Sequence, residues 1–363
     1  MSVWPIYTGT GVPHDGIDRL PAPPNWRAFD GGPPVPSPDQ ADPGTLRRLG
    51  PRNGSAGSSR VPDYQEIQMV NAALFLRRPL LVTGRPGTGK STLAYLIAEE
   101  LKLGPVLRWP ITSRSTLLEG LYRYDAIGRL REENLRQLRD RTSTEKALAA
   151  GKPQPTAGSP GRDSMGDIGR HLRLGPLGTA LLPYSRPRVL LIDEIDKNDI
   201  DLPNDLLNVF EEGEYEIDEL ARLPDEAGPV EVMTADPGGH VKINQGRVRC
   251  LAFPLVVLTS NGEREFPPAF LRRCLRLDLQ PPDPAQVAAI ITAHLGPEAA
   301  ASAKRHVREF LDRRNRSEVT TDQLLNAIYL ATSGSRYDGR SAEEIASIDD
   351  VVSAIMRPLS SPE

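Results

Sequence analysis

The stretch RPLLVTGRPGTGKSTLAYLIAEEL, residues 78–101, decides the fold. Its first part is an apolar run bounded by glycine, which reads as a buried strand. Its last part carries Leu93, Leu96, Ile97 and Leu101 at helical spacing. Between them, Gly84-Arg85-Pro86-Gly87-Thr88-Gly89-Lys90-Ser91, followed by Thr92, satisfies G-x-x-x-x-G-K-S. The glycines let the backbone curl so that successive N–H groups face one anion, and the helix adds its positive N-terminal end. This pattern predicts a site for ATP over Gly84 to Thr92, with Lys90 reaching the outer phosphates and Ser91 ligating Mg²⁺.

A second motif completes the first. Val189-Leu190-Leu191-Ile192-Asp193-Glu194 is an apolar strand that delivers two carboxylates at its end. Asp193 is expected beside Ser91 in the Mg²⁺ shell. Glu194 is expected to orient and deprotonate an attacking water. Further strand-type runs are VLRWPI (106–111) and LAFPLVVLT (251–259), separated by helical patterns such as YQEIQMVNAALFL (64–76). Strands alternating with helices imply an α/β fold, a parallel sheet sandwiched by helices.

The ends of the chain differ from this middle. Residues 1–62 are rich in Pro, Gly and Ser, interrupted by Trp4, Tyr7, Trp26 and Phe29. They are expected to form an extended, partly disordered arm in which the aromatics are candidate anchors to the body. Residues 63–281 read as the nucleotide-binding domain. Residues 282–363 hold helical runs at 284–295, 297–313, 321–332 and 342–357 and read as a small all-helical lid. Thr320 with Gln323, and Ser341 with Glu344, are capping-box starts. Residues 150–166 are a low-complexity loop.

Composition narrows the function. The net charge is −4, which weighs against a nucleic-acid polyelectrolyte partner. Cys250 and Cys274 are the only cysteines, and they form no metal spacing or disulfide framework. They suit a reducing, cytoplasmic compartment. No apolar run is long enough to span a bilayer. The five histidines show no ligand spacing.

GRPGTGKST (84–92), LLIDEID (190–196) and TSNGEREFPPAFLRRC (259–274) resemble the motifs of AAA+ ATPases. GPLGTALLPYSRPRVLLIDEIDKNDIDLPNDLLNVFEEGE (175–214) is similar to the MoxR type of the helix-2-insert clade. The resemblance covers about 63–363 and implies a P-loop NTPase fold followed by a helical lid. It implies that Asn261 polarises the attacking water or terminal phosphate. It also implies that Arg273, or Arg272 beside it, is an arginine finger serving a neighbouring subunit, hence a homo-oligomeric, hexameric ring. MoxR-type proteins act as chaperone-like ATPases on protein clients, often ones with a von Willebrand factor A domain. The alternatives are a nucleic-acid-associated motor or restriction-type NTPase subunit, and an ATP-gated scaffold with little turnover.

Two features depart from the resemblance or extend it. The expected sensor-2 arginine is missing from SEVTTDQLLNA (317–327); Arg316, Arg336 and Arg340 lie nearby. LYRYDAIGRL (121–130) and VEVMTADPGGHVKI (230–243) are candidate insert hairpins, with Tyr122 and Tyr124 as candidate client contacts.

Overall fold

The computed structural model of the chain describes residues 4–38, 45, 48–49, 62–149, 168–199, 201–296, 307–308, 310–311, 320–334, 351 and 354–355. Helix α1 (Tyr64–Leu76) starts at Asp63, whose carboxylate accepts the Glu66 amide at 2.7 Å. Strand β1 (Leu80–Thr83), the glycine loop and α2 (Lys90–Glu100) follow. Next come β2 (Leu107–Pro110), β3 (Tyr122–Tyr124) and the long α3 (Ala126–Ala149). They lead to β4 (Leu172–Leu174), β5 (Val189–Asp193), α4 (Asp201–Glu212) and β6 (Glu214–Glu216). After these lie β7 (Val230–Met233), β8 (His240–Ile243), β9 (Arg247–Arg249) and β10 (Leu255–Ser260). Helix α5 (Pro268–Arg273), β11 (Leu275–Asp278), α6 (Pro284–Leu295) and α7 (Thr321–Gly334) come last.

The main sheet is wholly parallel, in the order β11-β1-β10-β5-β2. Alternate residues serve opposite faces. Leu80, Val82, Val189, Leu191, Leu255 and Val257 join one core. Leu81, Leu190, Ile192, Val256 and Leu258 join the other. Both faces are covered, which is why these strands read as unbroken apolar runs. A second sheet, β3-β4-β7-β8, and the β6-β9 pair flank it.

The arm contributes to the first core through Ile6, Tyr7 and Ile17. Each buried apolar side chain of this kind contributes about 2 kcal/mol. The Asn71 side chain accepts the Ile6 and Tyr7 amides and donates to the Tyr7 carbonyl at 2.7–2.9 Å. Glu100, at the end of α2, accepts the amides of Thr8, Gly9 and Gly11 and the Thr8 hydroxyl at 2.6–3.0 Å. Further on, Arg27 donates to the Arg77 and Phe210 carbonyls, and Phe29 stacks on Phe253. Of the four aromatics singled out in the sequence, Tyr7 and Phe29 pack against the body and Trp4 tilts onto Phe75. Trp26 is 75% exposed.

The lid helices α6 and α7 share a small core of Val287, Ile291, Phe310, Leu324, Ala327 and Ile328. Asp283 and Gln286 cap α6 reciprocally. Thr320 and Gln323 do the same at α7, as their spacing predicts. The runs 297–313 and 342–357 lie largely outside the described residues. Residues 150–166, Arg316, Arg336, Arg340 and the Ser341 start also lie outside them.

The 230–243 segment forms the expected hairpin, β7 against β8. The 121–130 segment does not. Its Tyr122–Tyr124 strand pairs antiparallel with β4, and helix begins at Ala126. Asp125 looks like a turn residue but acts as a helix start, accepting the Gly128 amide at 2.8 Å. Tyr122 is buried, its hydroxyl accepting the Asp218 amide, and burial pushes its pKa up to about 12. It is a core residue rather than a client contact. Cys250 and Cys274 are free and buried, which pushes both thiols up to about 12 and leaves them inert. Among the described residues no helix is long and apolar enough to cross a membrane.

Candidate functional site

Strand order builds the site. β10 lies between β1 and β5, so the glycine loop, Asp193 and Thr259–Asn261 meet at the carboxyl edge of the sheet. Ligands of open α/β sheets bind at that edge. A cavity of about 500 Å³ opens there, lined by Pro86 to Thr92, Glu194, Thr259, Asn261 and the lid residues Thr320, Thr321 and Asp322.

The loop conformation depends on its glycines. Gly89 takes φ 86° as the residue before α2. Gly87 takes φ 77°, and a Cβ there would sit 3.0 Å from the Thr321 amide nitrogen. The lid approaches the loop this closely because the position lacks a side chain. Thr321 Oγ1 also donates to the Gly87 carbonyl at 2.9 Å. Lys90 Nζ donates to the carbonyls of Gly84 and Arg85 at 2.8 and 3.0 Å. Burial pulls its pKa down, against Asp196, Glu194 and Asp193.

Ser91 Oγ donates to Asp193 Oδ1 at 2.6 Å. Thr259 Oγ1 donates to the same oxygen at 2.9 Å and accepts the Glu194 amide at 2.8 Å. Arg108, on β2, donates through Nε and Nη2 to Asp193 Oδ2 at 3.1 and 2.7 Å. Burial alone would raise the Asp193 pKa; the bonds from Ser91, Arg108 and Thr259 outweigh it and hold the group below the usual carboxylate range. Ser91 and Asp193 therefore present two hard oxygen donors side by side, the donor chemistry Mg²⁺ prefers.

Glu194 adopts φ 62°, ψ 51°, a left-handed conformation unusual for a non-glycine residue. It lines the cavity, and its carboxylate accepts Lys197 Nζ at 2.6 Å. That pair is roughly half exposed, so it is weak and easily exchanged. Asp196 is almost wholly buried. Its Oδ2 accepts Ser260 Oγ and the amides of Asn261 and Glu263 at 2.8–3.0 Å.

The predicted residues fall into three groups. Pro86 to Thr92, Glu194 and Asn261 line the cavity together. Gly84 and Arg85 serve through their carbonyls, and Asp193 sits beneath Ser91. Arg272 and Arg273 stand apart at the end of α5. Arg273 Nε donates to Glu211 Oε1 at 2.7 Å, and the Arg272 carbonyl accepts from Arg78.

A family model described as AAA domain (dynein-related subfamily) matches residues 79–274, the span from β1 through α5. The chain belongs to this family. Its AAA domain carries a nucleotide-binding P-loop fold with a mostly parallel sheet between helices, and domains of this family generally hydrolyse ATP. A search of curated proteins finds no match.

Sequence reasoning on this AAA domain missed Arg108, Thr259, Asp196 and Thr321. Thr259 and Asp196 stand inside the quoted motifs, so their position was a signal. Arg108 had only the outward phase of an alternating strand, LRWP, to mark it.

Proposed function

We propose that the chain is a MoxR-type AAA+ ATPase that forms a hexameric ring in the cytoplasm and remodels a protein partner. A protein with a von Willebrand factor A domain is the candidate client. The observation that carries the ATPase part is the 2.6 Å bond between Ser91 and Asp193, residues 102 apart in sequence. It brings the two motifs together at the edge of a cavity lined by Ser91, Glu194 and Asn261, which supports reading them as one metal-phosphate site.

Ser91 and Asp193 would hold Mg²⁺, which supplies charge neutralisation on the outer phosphates. Lys90 and the loop amides bind those phosphates. Glu194, released from Lys197, orients a water and takes its proton as the water oxygen attacks the terminal phosphorus and ADP leaves. The amide side chain of Asn261 polarises the same region without adding charge. Arg273 would complete the neighbouring subunit's site, an arrangement that requires the ring.

The test is a pair of variants. Lys90→Ala should abolish ATP binding. Glu194→Gln should keep binding and lose turnover by about a thousandfold. Tight ATP binding by Lys90→Ala would sink the site. Arg108 on Asp193 favours a second reading, a nucleotide-gated scaffold with little turnover, as does a lid that turns Thr320, Thr321 and Asp322 to the cavity. Ring assembly that needs ATP but survives Glu194→Gln, with negligible wild-type turnover, would favour it.

A further inference from the structure

The cavity extends past the phosphate loop to a wall that includes Arg48, Ile290, His294 and Leu325. Arg48 comes from the N-terminal arm, outside the family-matched span. We propose that Arg48 holds the nucleobase of the bound nucleoside triphosphate, making the arm part of the nucleotide site. The proposal rests on the nucleotide-site reading above.

The Arg48 guanidinium lies over the Tyr95 ring, 4.8 Å from its centroid. Tyr95 is on α2, five residues past Lys90, and so about 7.5 Å along the helix axis from the phosphate-binding end. A cation anchored there faces the base end of a nucleotide rather than its phosphates. The neighbouring Leu49 packs into the core of the body, which fixes the backbone that carries Arg48.

Arg48 Nε is buried and has no hydrogen-bond partner among the described residues. A buried donor left unmade is costly. A purine supplies ring-nitrogen acceptors and a π face suited to a planar guanidinium. Ile290 and Leu325 add apolar surface for the same ring. Burial lowers the His294 pKa despite Asp322, so this wall carries a neutral imidazole rather than a second cation.

Among the described residues lining the cavity, Arg48 is the only arginine. The phosphate end already has Lys90, the loop amides and Ser91, whereas Arg48 is the one cation among the described residues on the far wall.

The experiment compares ATP with inorganic tripolyphosphate, which has no base, on the full chain. Affinities of both are measured by calorimetry for wild type, Arg48→Ala and Arg48→Lys. Arg48→Ala should bind ATP about tenfold more weakly and tripolyphosphate within about twofold of wild type. Arg48→Lys should resemble Arg48→Ala, since an ammonium offers neither a plane nor Nε. Retained tripolyphosphate affinity also reports an intact phosphate loop. Equal losses for both ligands would make Arg48 a phosphate-side cation and overturn the proposal. Unchanged ATP affinity, or full recovery by lysine, would overturn it too. If wild type binds neither ligand, the nucleotide reading itself fails.

Discussion

The carboxylate of Asp196 accepts the backbone amide of Asn261 at 2.8 Å. Asp196 is 1% exposed, and the same oxygen also takes Ser260 and Glu263. The end of β5 thus fixes the loop that follows β10. Asp196→Ala should lower turnover about tenfold while leaving ATP affinity within about twofold. Asp196→Asn keeps the accepting oxygen and should recover most of the rate. In an Asn261→Ala background, Asp196→Ala should add little. The four kcat values test this; simple additivity would separate the two residues.

Arg108 competes for Asp193 Oδ2, the oxygen that Ser91 and Thr259 leave free. Arg108→Ala should lower the Mg²⁺ concentration for half-maximal turnover several-fold, read from a magnesium titration at fixed ATP. The sign with pH follows from the depressed Asp193 pKa. Its folded-state bonds stabilise the protein above the ordinary value of 3.8 and are lost only as pH falls through the lower folded value. Removing Arg108 should move that loss to higher pH, measured by acid unfolding. An unshifted acid midpoint would count against the coupling.

Arg273 is paired with Glu211 of its own chain rather than pointing into its own cavity. Arg273→Ala should leave ATP affinity nearly intact and reduce turnover by about a hundredfold or more. Mixed with Glu194→Gln subunits, it should regain part of the rate, because some junctions then carry both functional groups. A mixture with no regain would show that the arginine does not act between subunits.

Arg188 is fully buried and donates to both oxygens of Asp236 at 2.8 and 3.0 Å. Asp236→Ala would strand that cation and should cost about 3–5 kcal/mol, measured by urea unfolding. The double change Arg188→Met with Asp236→Leu should cost less than Asp236→Ala alone. A larger cost for the double change would mean that the pair itself, not the stranded charge, stabilises the region.

The main sheet and the phosphate loop were legible because their signals are local. Apolar runs ending in glycine or in paired acids say both what the segment is and where its end must lie. The same locality misled at 121–130, where Tyr-Arg-Tyr alternates like a hairpin arm and Asp125 mimics a turn. Its true partner, β4, is separated from it by the whole of α3. Arg108 on Asp193, and Glu100 on the arm, were illegible for a related reason. A single polar side chain that finds its partner 85 or 92 residues away leaves no period in the sequence.

Glu100 has 0% exposure, and the amides and hydroxyl that satisfy it come from Thr8, Gly9 and Gly11. The family-matched span and the hydrogen-bonded structure around Glu100 therefore have different boundaries. A fragment cut at Pro79, where the family match begins, would lose the donors that satisfy Glu100 at the end of its own nucleotide-binding helix and leave that carboxylate to water. It would also lose the side chains of Ile6 and Tyr7 from its interior. The family match marks what is recognisable, while the packed interior it covers is completed by side chains of the arm.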